Sequence, residues 1–425
     1  MPAKIHIERM MHRSSIAVKG ESAASYALIK LIPAGGGGGS VGLNLALVLD
    51  VSGSMYEEDG TGIPRLKRIQ DAAKAAIAKL KPTDTMAIVA FAHNAQCVLP
   101  STPLSERAKL EEVIDSIDMF DVDPGGTAMN EGMQLGIQEV EKGAGGGRLN
   151  QVVVLTDGET SGEQMCRQLA REALKKKIHL TLMGVGTEWN SSLIKDLAKE
   201  SEGKWYYIDV NEKEEAQRVF LEEFESLASA GFLDVEMHLR PVKDVKIKRV
   251  RMVVPEIKPI NLEEPEERHL VAHLGTLERD KPRRYILDLT LPKRPDGKYV
   301  IAQLEVTWDP GNGTRESSGM VPLEMTYTAA KHGYINAEVA RHIDEVQIFE
   351  LNDDLQRAIN QDNQAEVQRV AEQIAKKGDL MGPRAAKKTM LAKQVLQELN
   401  VGGRVSKKTQ LAVDDAARDA MELPS

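Results

Sequence analysis

Apolar and polar residues follow three rhythms along this chain, and each predicts a different architecture. Up to about residue 33, apolar positions alternate weakly with polar ones (Ile5, Ile7; Ile16, Val18; Ala27, Ile29, Leu31), as in two or three half-buried strands. Pro33 and the glycines 35–39 follow. Such a run holds regular structure only at high entropic cost, so it predicts a hinge.

From 41 to about 230 the rhythm changes. The stretch Leu43-Asn44-Leu45-Ala46-Leu47-Val48-Leu49 reads as a buried parallel strand. Pro64 opens a helix whose apolar face is Leu66, Ile69, Ala73, Ala76, Ile77 and Leu80. Strands are predicted at 85–92, 97–99, 151–156, 178–185 and 205–208. Helices are predicted at 105–117, 128–140, 163–176, 191–200 and 212–228. Strand–helix alternation of this length means an α/β fold, with a doubly wound, mostly parallel sheet covered on both faces.

The third rhythm begins at 231 with strands at 233–239, 245–254, 270–274, 285–291, 299–308 and 319–326. Turn signals such as Arg294-Pro295-Asp296-Gly297 separate them, as in an antiparallel β-sandwich. The N-terminal strands have no core of their own and are expected to join that sandwich, which leaves the α/β domain inserted within it. From 329 the pattern is helical. Val339, Ile343, Val346, Leu355 and Ile359 form one stripe, and Asn363 with Glu366 resembles a capping box opening a second helix. Gly378 is expected to stop that helix, and a third runs over 385–399, giving a small bundle or helical hairpins. The predicted domains are therefore 1–34 (strands of the sandwich), 41–230 (α/β), 231–328 (sandwich) and 329–425 (helical).

Composition adds limits. A 425-residue chain exceeds one core, and 42% hydrophobic with only 4% aromatic residues makes those cores aliphatic. The net charge of −9 argues against a wholesale nucleic-acid binder. Cys97 and Cys166 lack metal-ligand spacing and read as reduced core thiols. The segment Met1-Pro2-Ala3-Lys4-Ile5-His6 has no apolar signal core, and no stretch reaches the ~18 apolar residues of a membrane span. A soluble, cytoplasmic protein is expected.

The candidate chemistry sits at the strand ends. Asp50-Val51-Ser52-Gly53-Ser54 closes the first α/β strand and offers a carboxylate and two hydroxyls on alternate residues, where open α/β sheets gather ligands. Hard oxygens suit Mg²⁺ better than zinc or copper. Two further loops carry such oxygens: Asp123-Pro124-Gly125-Gly126-Thr127 and Thr156-Asp157-Gly158. The candidate metal-site residues are Asp50, Ser52, Ser54, Thr127 and Asp157.

In order, spacing and strand context, these residues closely resemble a von Willebrand factor A domain with a metal-ion-dependent adhesion site. Asp50-x-Ser52-x-Ser54, Thr127 in Gly-Gly-Thr and Asp157 in Leu-Thr-Asp-Gly carry the resemblance, over 41–230. It implies a metal-dependent protein-binding module whose ion takes an Asp or Glu carboxylate from a partner at its open position. Neutral hydroxyls of Ser52, Ser54 and Thr127 would leave the ion most of its charge, with Asp50 and Asp157 orienting hydroxyls and waters from outside. Mn²⁺ or Ca²⁺ could replace Mg²⁺. Glu57 and Glu58 are placed similarly to the acidic pair beside a second metal in integrin β-type domains; a solvated acidic loop accounts for them more simply. Asp121 and Asp123 could add negative potential, although loop aspartates more often cap turns.

The overall layout resembles bacterial relatives of inter-α-trypsin inhibitor heavy chains. Three functions follow as expectations: a non-enzymatic partner-binding module, an adaptor for a separate AAA+ ATPase of the MoxR type, or an assembly unit joining copies through the metal. Other constellations carry less. His269 and His273 are four apart on a predicted strand, ~13 Å, too far to share an ion. His93 reads as a surface loop residue near the site rim. The glycine runs lack the residues of a phosphate loop, and no Gly-x-Ser-x-Gly elbow is present. The stretch 376–408 has nine Lys/Arg against Asp379 and Glu398; solvated helix faces explain it as well as an acidic partner would.

Overall fold

The computed structural model describes residues 4–419 apart from 18–19, 35–40, 59–61, 121, 124, 146, 159, 161, 187–188, 210–211, 213 and 330. Val18, the glycine run 35–39, Asp59 and Asp121 therefore lie outside the described residues. The chain divides into two compact units. One comprises Gly39–Leu233 with Pro310–Gly313; the other comprises Met1–Gly38, Asp234–Asp309 and Thr314–Ser425.

After β1 (Lys4–Met11) and β2 (Ser22–Ala34), the strands of the α/β unit are β3 (Leu43–Asp50), β4 (Thr85–Phe91), β5 (Ala95–Pro103), β6 (Leu149–Thr156), β7 (Ile178–Val185) and β8 (Lys204–Ile208). They form one sheet in the order β5-β4-β3-β6-β7-β8, parallel except for the edge strand β5. Every residue of β3 and β6 is buried, which is why both read as mostly apolar runs, with Asn44, Asn150 and Gln151 as the buried exceptions near their starts. The helices are α1 (Arg65–Ile77), α2 (Arg107–Asp115), α3 (Met129–Lys142), α4 (Glu163–Lys175), α5 (Ser191–Glu200) and α6 (Glu215–Ala228). Side chains of α1, α2 and α6 share one core with Leu45, Leu47 and Leu49, while α3, α4 and α5 pack on the opposite face.

Helix α3 lies unusually close to the sheet. A Cβ on Gly136 would fall 2.7 Å from Val48 Cγ2, and one on Gly132 would fall 2.9 Å from the Phe91 ring. These glycines, one helical turn apart, let the backbone settle where side chains would hold it off. The loop that enters α3 carries Thr127, so this close seating also sets where Thr127 stands.

The second unit continues with β9 (Ala230–Pro241), β10 (Lys246–Val254), β11 (Lys258–Ile260), β12 (Leu262–Glu266), β13 (His269–Glu278), β14 (Arg283–Pro292), β15 (Gly297–Asp309), β16 (Glu316–Ser317) and β17 (Val321–Tyr327). One antiparallel sheet runs β1-β2-β14-β10-β11; the other runs β12-β13-β9-β15-β16, with β17 also on β15. The N-terminal strands thus join the later ones, β2 pairing with β14 from Ser22 to Leu31, so that the α/β unit interrupts the sandwich in sequence.

Four helices follow: α7 (Ala337–Asn360), α8 (Gln364–Met381), α9 (Ala386–Gly402) and α10 (Lys407–Arg418). The stripe on α7 serves two cores. Val339, Ile343 and Val346 pack on Leu28, Val253, Ile257 and Ile286 of the first sheet, whereas Ile348, Leu355 and Ala358 face α8, α9 and α10. Under α7, Asp288 pairs with Arg249 at 2.7 Å and with Arg251 at 3.2 Å, and Glu350 of the helix pairs with both arginines. Two expectations change here. Gly378 does not stop α8: the helix runs on to Met381, ends at Gly382 with φ 73°, and Gly378 instead leaves room for Thr389 of α9. A fourth helix, α10, follows an N-cap by Ser406; its buried face mixes Leu411 and Val413 with Thr409, Asp414, Ala416 and Ala417, which weakens its apolar signal. No helix among the described residues is long and apolar enough to cross a membrane.

Replacing Gly136 by Val should force Val48 or the helix aside and cost about 1–3 kcal/mol. A lower denaturant midpoint at unchanged slope is the expected result, and an unchanged midpoint would show that α3 has room to spare.

Candidate metal centre

Strands β3 and β6 are neighbours, with Leu49 opposite Leu155. The chain first builds outward from β3 to β4 and later resumes on the other side with β6, so the winding reverses between β3 and β6. A crevice at such a switch point, at the carboxyl ends of the strands, is where a doubly wound sheet binds ligands. Asp50 ends β3 there, and Asp157 directly follows β6.

The Asp50 carboxylate is fully buried. Its Oδ1 accepts the Ser52 amide at 2.9 Å, and its Oδ2 accepts the Thr156 hydroxyl at 2.7 Å. Burial pushes its pKa up to about 6 against the lowering effect of those two donors. After Asp50 the chain makes a short 3₁₀ turn, Gly53–Tyr56, anchored by the fully buried Met55. That turn brings Ser54 Oγ to 3.2 Å from Ser52 Oγ, and Ser54 donates to Asp157 Oδ1 at 2.8 Å.

Thr127 arrives from a loop tied to the same sheet edge. Ala128 donates to the Ala92 carbonyl, and His93 donates to the Asp123 carbonyl at 2.9 Å. Asp123 in turn caps its own loop by accepting from Gly125 at 3.0 Å. The Thr160 hydroxyl donates to the Thr127 carbonyl at 2.8 Å. Thr127 Oγ1 lies 3.4 Å from where a Cβ on Gly158 would stand, beside the Asp157 loop. The His93 ring lies 3.2 Å from the corresponding point on Gly126. Asp50, Ser52, Ser54 and Asp157 thus form one hydrogen-bonded chain, with Thr127 on the adjoining loop.

The donor set fits a hard divalent cation. Mg–O bonds of about 2.0–2.1 Å in an octahedron place neighbouring ligand oxygens roughly 2.9 Å apart, close to the separation of the two serine hydroxyls. Both Asp50 oxygens and both Asp157 oxygens accept hydrogen bonds, which fixes the two carboxylates in place, and the hydroxyls of Ser52, Ser54 and Thr127 add neutral oxygens to the donor set. No three His, Cys, Asp or Glu residues converge as ligands anywhere among the described residues.

One residue here was not singled out from sequence. Arg65, the first residue of α1, donates from Nη1 to Asp157 Oδ2 at 2.8 Å. Its Nη2 lies 3.6 Å from Glu57. Glu57 is therefore an arginine partner, while Glu58 bridges to Pro64. A signal existed: a cation in the first turn of a helix opposes the helix dipole and calls for a local anion. Elsewhere, His269 meets His238 at 3.1 Å, while His273 faces Glu236 and Glu263. Burial raises the Cys97 pKa to about 11 and the Cys166 pKa to about 12, so both remain thiols.

Residues 44–222 match the von Willebrand factor type A domain family. The chain carries a von Willebrand factor type A domain. Such domains are generally protein-interaction modules and commonly bind a divalent metal. The uncharacterized protein sll0103 of Synechocystis sp. is 31% identical over 288 residues, covering 66% of this chain and 65% of that protein. The uncharacterized protein YfbK of Escherichia coli is 25% identical over 308 residues, covering 67% of this chain and 51% of that one. The chain therefore spans less than two thirds of either relative. A solved von Willebrand factor type A protein from Catenulispora acidiphila superimposes with a TM-score of 0.78 at 15% identity, covering 99% of this chain and 97% of the other. That likeness extends the shared fold beyond the type A domain itself.

Asp157→Asn should lower the stability of the metal-free protein by about 3 kcal/mol, the lower end for breaking a buried pair, because Arg65 loses its buried counter-charge. Adding Arg65→Gln to that variant should recover much of the loss. Strictly additive effects in urea unfolding would show that the two side chains do not act as a pair.

Proposed function

We propose that this chain is a non-catalytic binding module that captures a protein partner through a divalent cation, Mg²⁺ in the first instance. Ser52, Ser54 and Thr127 would hold the ion, and Asp50 and Asp157 would organise it. The observation that carries this reading is the division of labour at the β3–β6 switch point. Both carboxylates are held by a hydrogen bond on each oxygen, and Ser52 and Ser54 present their hydroxyls 3.2 Å apart beside them.

The protein's own part is orientation. Asp157 accepts the Ser54 hydroxyl hydrogen bond and thereby turns a lone pair outward, and Thr156 fixes the Asp50 carboxylate. Met55 locks the turn that spaces the two serines. When bound, the ion supplies a hard, incompletely neutralised charge, and the natural ligand for such a charge is an Asp or Glu carboxylate of the partner.

Capture from lysate on immobilised protein tests this, using wild type and Ser54→Ala, each with Mg²⁺ or with EDTA. The wild type should retain a partner only with Mg²⁺, and Ser54→Ala should retain none. Equal capture in all four conditions would rule the metal bridge out. Metal-dependent self-association in light scattering, without other captured protein, would identify a second copy as the partner.

A further inference from the structure

We infer that Arg65 sets the charge of the metal site and makes tight retention of the cation depend on the partner's carboxylate. The inference rests on the metal-bridge reading above. Arg65 is a positioning residue here, acting through Asp157.

Arg65 Nη1 lies 2.8 Å from Asp157 Oδ2, and the other oxygen of that carboxylate lies 2.8 Å from Ser54 Oγ. The guanidinium is thus one carboxylate away from a coordinating hydroxyl. The pair is well sheltered: the Asp157 side chain is 0% exposed and that of Arg65 is 15% exposed. Among the described residues the buried Nε of Arg65 has no hydrogen-bond partner, and the fork directs its donors to Asp157 and, more weakly, to Glu57 and the Ser54 carbonyl. Glu57 is 66% exposed and solvent-screened, so it offsets little of the arginine charge.

Two effects follow. The paired Asp157 stays oriented toward Ser54 but contributes almost no net negative potential. The cation would then find in Asp50 a buried carboxylate for which, among the described residues, no cationic partner is seen. A divalent ion in this position keeps a surplus of positive charge, and a ligand carboxylate supplies what Asp157 cannot. Removing the guanidinium charge returns a full anion to the site, and at protein-like dielectrics a charge at that range changes affinity by at least about tenfold.

Isothermal titration of Mg²⁺ into metal-stripped, full-length protein reads this directly, with metal-free circular dichroism confirming that each variant is folded. Arg65→Gln should bind Mg²⁺ at least about tenfold tighter than wild type, a gain that loss of a merely structural residue would not give. Arg65→Lys keeps the charge without the fork and should stay within about threefold of wild type. Equal or weaker binding by folded Arg65→Gln overturns the inference and leaves the metal site standing. An equally large gain in Arg65→Lys also overturns it, because geometry rather than charge would then be the cause. If Arg65→Gln does not fold, Arg65→Lys decides by the same threefold limit. No Mg²⁺ binding by any folded form removes the metal-bridge reading itself.

Discussion

A fully buried carboxylate has to be satisfied, and Asp50 takes its two donors from different parts of the fold. The Ser52 amide belongs to its own turn, and the Thr156 hydroxyl comes from the end of the neighbouring strand. Hydrogen bonds to a charged group contribute about 1.5–3 kcal/mol each, and leaving such a group unpaired costs more. The two loops that follow β3 and β6 are therefore fixed against one another before any ligand is considered. Ser54 inherits its place from that turn, and Asp157 inherits its place from Thr156, one residue earlier. Ser52, Ser54 and Asp157 all hang from this buried bridge, while Thr127 is placed separately by the loop that enters α3.

The bridge is useful only if the frame beneath it is rigid. Parallel strands buried on both faces supply that, and α3 adds to it by seating Gly132 and Gly136 directly on Val48 and Phe91. The second unit solves a different problem. Its first sheet, completed by β1 and β2, would show an apolar face, and the first half of α7 covers that face while its second half nucleates the four-helix tail. Glu350, set between Arg249 and Arg251, gives that seating a fixed register which packing alone would leave looser.

Legibility in the sequence followed burial. The α/β alternation was readable because β3 and β6 are fully buried and mostly apolar despite Asn44, Asn150 and Gln151, and the candidate site was readable because Asp50, Ser52, Ser54 and Asp157 lie at or just after the ends of those strands. What escaped was whatever depends on a distant neighbour. Strand β12, Leu262-Glu263-Glu264-Pro265-Glu266, pairs at a sheet edge and is mostly exposed, so it has no apolar rhythm to announce it. Gly378 reads as a stop until Thr389 is known to press on it, and α10 buries Thr409 and Asp414 among its few apolar side chains. The contact between Arg65 and Asp157 joins residues 92 apart, so local pattern gave no view of it.

Arg65 nevertheless broke a local rule in plain sight. Cations are disfavoured in the first turn of a helix, since the exposed amides there already carry partial positive charge. Departures of this kind persist where a tertiary partner outweighs the local cost, and they gather at functional sites. Here the partner is Asp157, and the consequence is arithmetic. Two carboxylates could neutralise a divalent cation by themselves, which would leave no reason for a third to bind. With one of them matched by a guanidinium, the second charge of a bound cation would stay unmet among neutral hydroxyls. On the proposed reading, a site wired in this way would require an anion from outside, and that requirement would distinguish a device for capturing a carboxylate from a device for storing a metal.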